Sequence, residues 1–114
     1  FLAGDSAHTV PPTGAKGLNL AFADVAVLAP ALVRALQDSD AEALARYSAT
    51  ATKRVWKAQN FSYQMTRMLH TDPTADPFEA RRSLGELDSI LTSDHGRRYL
   101  AECYTGWPHT TTIP

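Results

Sequence analysis

Phe1-Leu2-Ala3-Gly4-Asp5, followed by Pro11-Pro12-Thr13-Gly14-Ala15-Lys16-Gly17-Leu18-Asn19, sets a short apolar run against a stiff loop and a glycine-flanked helix start. The first five residues read as the end of a short buried strand that stops at Gly4, where the chain turns without a side-chain clash. Ser6 to Gly17 is small, polar or turn-forming, and the paired prolines hold the backbone extended. A helix is expected just after Gly17. Its apolar residues Leu18, Ala21 or Phe22, Val25, Leu28 or Ala29, Leu32 and Leu36 recur every three to four positions, as one buried face requires. Pro30 is expected to interrupt it, because a proline removes one backbone hydrogen bond and clashes with the carbonyl of Ala26.

Further along, Ser39 with Glu42 three residues later is a capping-box pattern, and no Gly or Pro follows until Pro73. The spacing predicts one long helix, with Leu44, Tyr47, Ala51, Val55, Ala58, Phe61 or Ser62, Met65 and Leu69 as its stripe. About 30 residues at roughly 1.5 Å each give about 45 Å, longer than the roughly 35 Å diameter of a compact chain of this size. Asp76-Pro77-Phe78-Glu79 combines an N-cap, a first-turn proline and an acid, predicting a helix to about Leu91. Ser93 is expected to cap one more short helix, ending at Tyr99 or Cys103. The tail from Thr105 through Thr110-Thr111-Thr112 reads as irregular and frayed. The fold class expected is mainly α: a strand end and loop in 1–22 with the start of the following helix, then a helical region in 23–114.

Composition narrows the function classes. The 114 residues carry 11 basic and 12 acidic side chains, a balance that argues against a nucleic-acid partner. Leu, Val, Ile and Phe make up only 23 residues, so the core this chain builds alone is thin. No apolar run reads as long enough to span a bilayer, so no membrane partner is expected. Cys103 stands alone, which excludes an intrachain disulfide and a Cys-cluster metal site, and it reads as a small core residue. No metal ligand set is evident. The chain opens inside an apolar segment, and it reads as cut from something longer.

The chemistry concentrates in the opening stretch. Glycines let another group approach the backbone, and the free N–H groups of a helix's first turn favour an electron-rich or anionic ligand. Asp5 has the acceptors for the hydroxyls of a polyol, or it simply forms an Asx turn; Asn19 is then a surface residue. His8 is a candidate base or a structural loop histidine, and no partner acid at suitable spacing is evident. Lys53, Arg54 and Lys57 form a basic stripe, suited to a nucleotide phosphate or to a solvated helix face.

Gly4-Asp5-Ser6-Ala7-His8 and the run Val10 to Ala21 resemble the second flavin-binding motif of the class A flavoprotein aromatic hydroxylases. The likeness continues through Arg46-Tyr47-Ser48, Arg54-Val55-Trp56-Lys57-Ala58, Met65-Thr66, Leu69-His70 and Glu102 to Pro108, and so covers essentially the whole chain. The resemblance implies the C-terminal part of an α/β FAD-binding monooxygenase of the cytoplasm. Such an enzyme uses NADPH as co-substrate and a small aromatic molecule as substrate, and it is completed by an N-terminal part and by homodimer formation or self-association. Asp5 then holds the ribityl chain of FAD. Gly17, Leu18 and Asn19, with Gly14, lie along the flavin ring. Pro12 offers its carbonyl to the substrate's phenolic hydroxyl, with Thr13 beside the ring, and Tyr104 is the catalytic residue that helps the phenolic proton leave. The GxGxxG fingerprint of the nucleotide-binding unit is absent, so the chain alone is expected to be inactive. The alternative, from a different class, is a free-standing helical interaction module without catalytic activity.

Overall fold

A computed structural model describes residues 1–70, 73–74 and 76–107. Among these described residues a 3-10 turn, Gly4–Ser6, precedes five helices: α1 (Gly17–Gln37), α2 (Glu42–Ala45), α3 (Tyr47–Leu69), α4 (Pro77–Thr92) and α5 (Asp94–Thr105). The mainly helical expectation holds. The predicted strand end does not form: Ala3 is extended, yet no strand is found among the described residues for it to pair with, and Phe1 and Leu2 stand exposed. An extended segment without a neighbour has no ladder to join. The fraying expected at Thr110-Thr111-Thr112 lies outside the described residues.

α1 begins at Gly17 as expected and runs through Pro30 without a break. Its buried face is not the expected one. Leu20, Ala23, Asp24 and Ala31 face inward, whereas Leu18, Phe22, Val25 and Leu36 are exposed. The helix is apolar on both sides, so periodicity does not say which side the rest of the chain covers. By length and composition α1 is also apolar enough to cross a membrane, contrary to the expectation that no such run exists. A helix apolar all round suits equally a position between two protein layers.

The capping box at Ser39 is not used. Ser39 takes a left-handed φ of +58°, and the carboxylate of Asp40 accepts the Glu42 N–H at 3.1 Å instead. The long helix is shortened by the resulting one-turn α2 and a turn at Arg46. α3 retains 23 residues, about 35 Å, and buries Tyr47, Ala58, Phe61, Ser62 and Met65 of the predicted stripe. The expected caps of α4 and α5 form: Asp76 accepts from Phe78 N–H and Ser93 from Gly96 N–H.

The core is small. Phe61, Met65 and Cys103 are its buried centre, flanked by Met68, Leu100 and Trp107, and α4 buries no residue at all. The radius of gyration is 18.0 Å, against about 13 Å for a compact chain of this length, and the molecule measures 60 × 30 × 17 Å. α4 and α5 meet at Gly96, where an added Cβ would press into the carbonyl oxygen of Ile90 and lie 2.9 Å from its Cα. Gly96→Ala in the full-length protein is therefore expected to destabilise by about 1–3 kcal/mol, the usual cost of overpacking against atoms that cannot yield. A urea titration checks this, and an unchanged midpoint would show that the α4–α5 contact is pliable.

Candidate functional site

Two groups of residues are brought together at one end of α1. The first is the 3-10 turn and the helix start. Asp5 is exposed on the turn, and a Cβ built on Gly17 meets one atom within 4 Å, Asp5 Oδ1 at 3.9 Å. The carboxylate thus lies at the positive end of the helix. No side chain caps α1, and Leu18 and Asn19 are exposed beside it. The first N–H groups of a helix have no partner within it, so this open end offers donors beside an acceptor of hydroxyls. Such a set can accept from hydroxyls on one side and donate to an electron-rich or anionic group on the other.

The second group is the loop and the end of α5. Gly14 has φ +85°, and a Cβ there would lie 2.7 Å from Phe61 Cε1, so the loop lies on the phenyl ring by its backbone. An L side chain fails at this position on both counts. Thr13 Oγ1 and Thr66 Oγ1 are 2.8 Å apart, and Thr66 also donates to the Ser62 carbonyl at 2.8 Å. The carbonyl of Pro12 accepts the Ala15 N–H at 2.9 Å, which leaves its second lone pair for an outside donor. Tyr104 also packs against Phe61, with ring centroids 6.2 Å apart and planes at 80°. An edge-to-face pair of this kind orients the phenol ring, while the residue as a whole stays exposed.

Lys16 joins the two groups, and the motif reading passed over it. It immediately precedes α1, is 4% exposed, and its ammonium donates to the backbone carbonyl of Tyr104. The same nitrogen lies 4.9 Å from the Phe61 ring centre and 5.4 Å from that of Tyr104. Burial holds its pKa below the ordinary lysine value, with the Cys103 thiol acting in the opposite direction. A lysine between two aromatic rings near the chain's end has no local sequence signal, because its partners are remote in the chain.

Other candidates find different places. His8 does have an acid partner, Asp24, contrary to expectation; the pairing spans 16 residues and arises only when the turn is laid on the helix. Of the basic stripe, Arg54 donates to the Trp107 carbonyl at 2.8 Å and Lys57 lies 5.4 Å from the Trp107 ring centre, so both help dock the segment that follows α5. Cys103 is buried, as expected. No group of three or more metal-binding side chains occurs among the described residues.

Residues 1–62 match the family described as FAD binding domain. Over 109 residues, 96% of the chain, it is 47% identical to the p-hydroxybenzoate hydroxylase of Acinetobacter baylyi. The chain spans 27% of that relative's length.

Proposed function

Because this chain belongs to the FAD binding domain family, we propose that it is the C-terminal portion of a p-hydroxybenzoate hydroxylase, a monooxygenase that converts 4-hydroxybenzoate to 3,4-dihydroxybenzoate with FAD, NADPH and O2. The observation that carries the reading is the placement of Asp5 against the uncapped start of α1, beside a loop held on Phe61 next to Tyr104. The exposed apolar side of α1 and the elongated shape suit a piece of a larger body. No finding favours a free-standing interaction module. We place the whole protein in the cytoplasm, as a homodimer or another self-associated form.

In this reading each residue has a defined task. FAD held here and reduced by NADPH would activate O2, from which one oxygen atom enters the ring and the other leaves as water. Asp5 accepts hydrogen bonds from the ribityl hydroxyls. The first N–H groups of α1, at Gly17, Leu18 and Asn19, stabilise negative charge on the adjoining pyrimidine ring through their donors and the helix dipole. Pro12 accepts the substrate's phenolic O–H and turns that oxygen toward its exit. Tyr104 passes the proton on, which leaves the aromatic ring richer in electrons and more nucleophilic. Thr13 and Gly14 fix the loop on Thr66 and Phe61, so that the Pro12 carbonyl has one direction.

The isolated chain holds only one edge of this cofactor site. It is expected to bind FAD weakly or not at all and to oxidise no NADPH, whereas the full-length protein should form 3,4-dihydroxybenzoate when both are supplied. Flavin fluorescence titration and product analysis test the two halves. Sub-micromolar FAD binding by the isolated chain would contradict the reading as a fragment, and a full-length protein that hydroxylates no 4-hydroxybenzoate would contradict the assignment of substrate.

A further inference from the structure

Asp24 is the most buried acid among the described residues at 2% exposure, and nothing in the flavin and substrate motifs gives it a task. A carboxylate taken out of water must be met by donors. Both of its donors come from one short stretch: Gly4 N–H reaches Asp24 Oδ2 at 2.9 Å, and His8 Nε2 reaches the same oxygen at 2.7 Å. A carboxylate only accepts, so the imidazole carries its proton on Nε2. Between these two anchors lies the 3-10 turn that bears Asp5, closed by Ala7 and His8 N–H groups donating to the Gly4 carbonyl at 2.8 and 3.0 Å.

The register of α1 makes this more than a local tie. Gly17, Ala21 and Asp24 are spaced i, i+4 and i+7, on one helix face. Asp5 stands over Gly17, a Cβ at Gly4 would lie 3.1 Å from Ala21 Cβ, and Gly4 with His8 is bonded to Asp24. The turn therefore lies along two turns of the helix, fastened at the far end and free at the end where Asp5 meets the helix start. Tyr47 closes the same corner, its hydroxyl donating to the Leu2 carbonyl at 2.8 Å. Burial first, and the Asp24 carboxylate second, hold its pKa above the ordinary tyrosine value.

We propose that Asp24 and His8 are positioning residues that hold the Asp5 carboxylate over the first turn of α1 and so set the affinity for FAD. The proposal rests on the reading of Asp5 as an acceptor for flavin hydroxyls. It is tested in the full-length apoprotein by titration with FAD, using Asp24→Asn, Asp5→Ala and the double variant, with thermal unfolding recorded for each. Asp24→Asn keeps the shape and one acceptor and loses the charge; FAD affinity should fall about tenfold, the scale of one charge-assisted hydrogen bond. In the Asp5→Ala background the same change should add little, because Asp24 acts through Asp5.

Fully additive effects, or wild-type affinity in Asp24→Asn beside a weakened Asp5→Ala, overturn the proposal alone. Wild-type affinity in Asp5→Ala overturns the flavin reading and the proposal with it. His8 supplies a second, milder pair of variants should the Asp24 change impair folding. His8→Leu should weaken FAD binding, and His8→Gln, whose amide donates from nearly the same point, should restore most of it. A His8→Gln variant as weak as His8→Leu would overturn the role of the imidazole as donor.

Discussion

Replacing Asp5 by Ala in the full-length apoprotein is expected to weaken FAD binding roughly ten- to a hundredfold. The carboxylate stands over the helix start, 3.9 Å from the position of a Gly17 Cβ. A hydrogen bond to a charged acceptor is worth about 1.5 to 3 kcal/mol, and each 1.4 kcal/mol or so is a factor of about ten in affinity. Stability should respond differently. The exposed acid at a helix N-terminus contributes about 0.3–1 kcal/mol through the dipole, so the unfolding midpoint should move little while the FAD titration moves far. Equal FAD affinity in the variant would leave Asp5 as a turn former that complements the helix dipole.

Tyr104→Phe acts on chemistry rather than on binding. A free phenol titrates near pH 10, so at neutral pH the substrate's proton needs a route out of the site. The substitution keeps the ring on Phe61 and the backbone carbonyl on Lys16, and removes only the hydroxyl. A positioned proton-transfer group contributes about 10² to 10⁴ in rate; a relay that water partly replaces should give about a hundredfold or less. FAD affinity should survive, because Asp5 and the start of α1 are untouched. Expected instead are slower flavin reduction, or less 3,4-dihydroxybenzoate per NADPH consumed with hydrogen peroxide making up the difference. Wild-type values for both reduction rate and coupling would show that Tyr104 serves only to pack against Phe61.

What was legible in the chain is what local chemistry decides. Gly17, Asp76 and Ser93 mark their helix starts because a turn or cap is settled within three or four residues. Ser39 fails for the same kind of reason, since its neighbour Asp40 takes the capping bond once Ser39 adopts a positive φ. The inward face of α1 was not legible: Leu18, Phe22 and Val25 are as apolar as Leu20 and Ala23, and only packing chooses between them. The proposed site divides along the same line. Asp5, Pro12, Thr13, Gly14 and the helix start fall in one continuous motif, and Tyr104 entered through resemblance. The supports behind them were missed, because Lys16, Phe61, Thr66 and Asp24 meet their partners only after the helices have packed.

The bond from Lys16 to Tyr104 joins residues 88 apart in the chain. Helical contacts close short loops and are quick to form, whereas a contact of this span must first bring distant segments together against chain entropy. Thr13 to Thr66, 53 residues apart, is of the same kind. The two parts of the site are therefore expected to become neighbours late in folding, after the helices that carry them. Binding competence is then acquired as one of the last events in the maturation of the chain, and a kinetic probe on the Tyr104 side would lag behind one on α3.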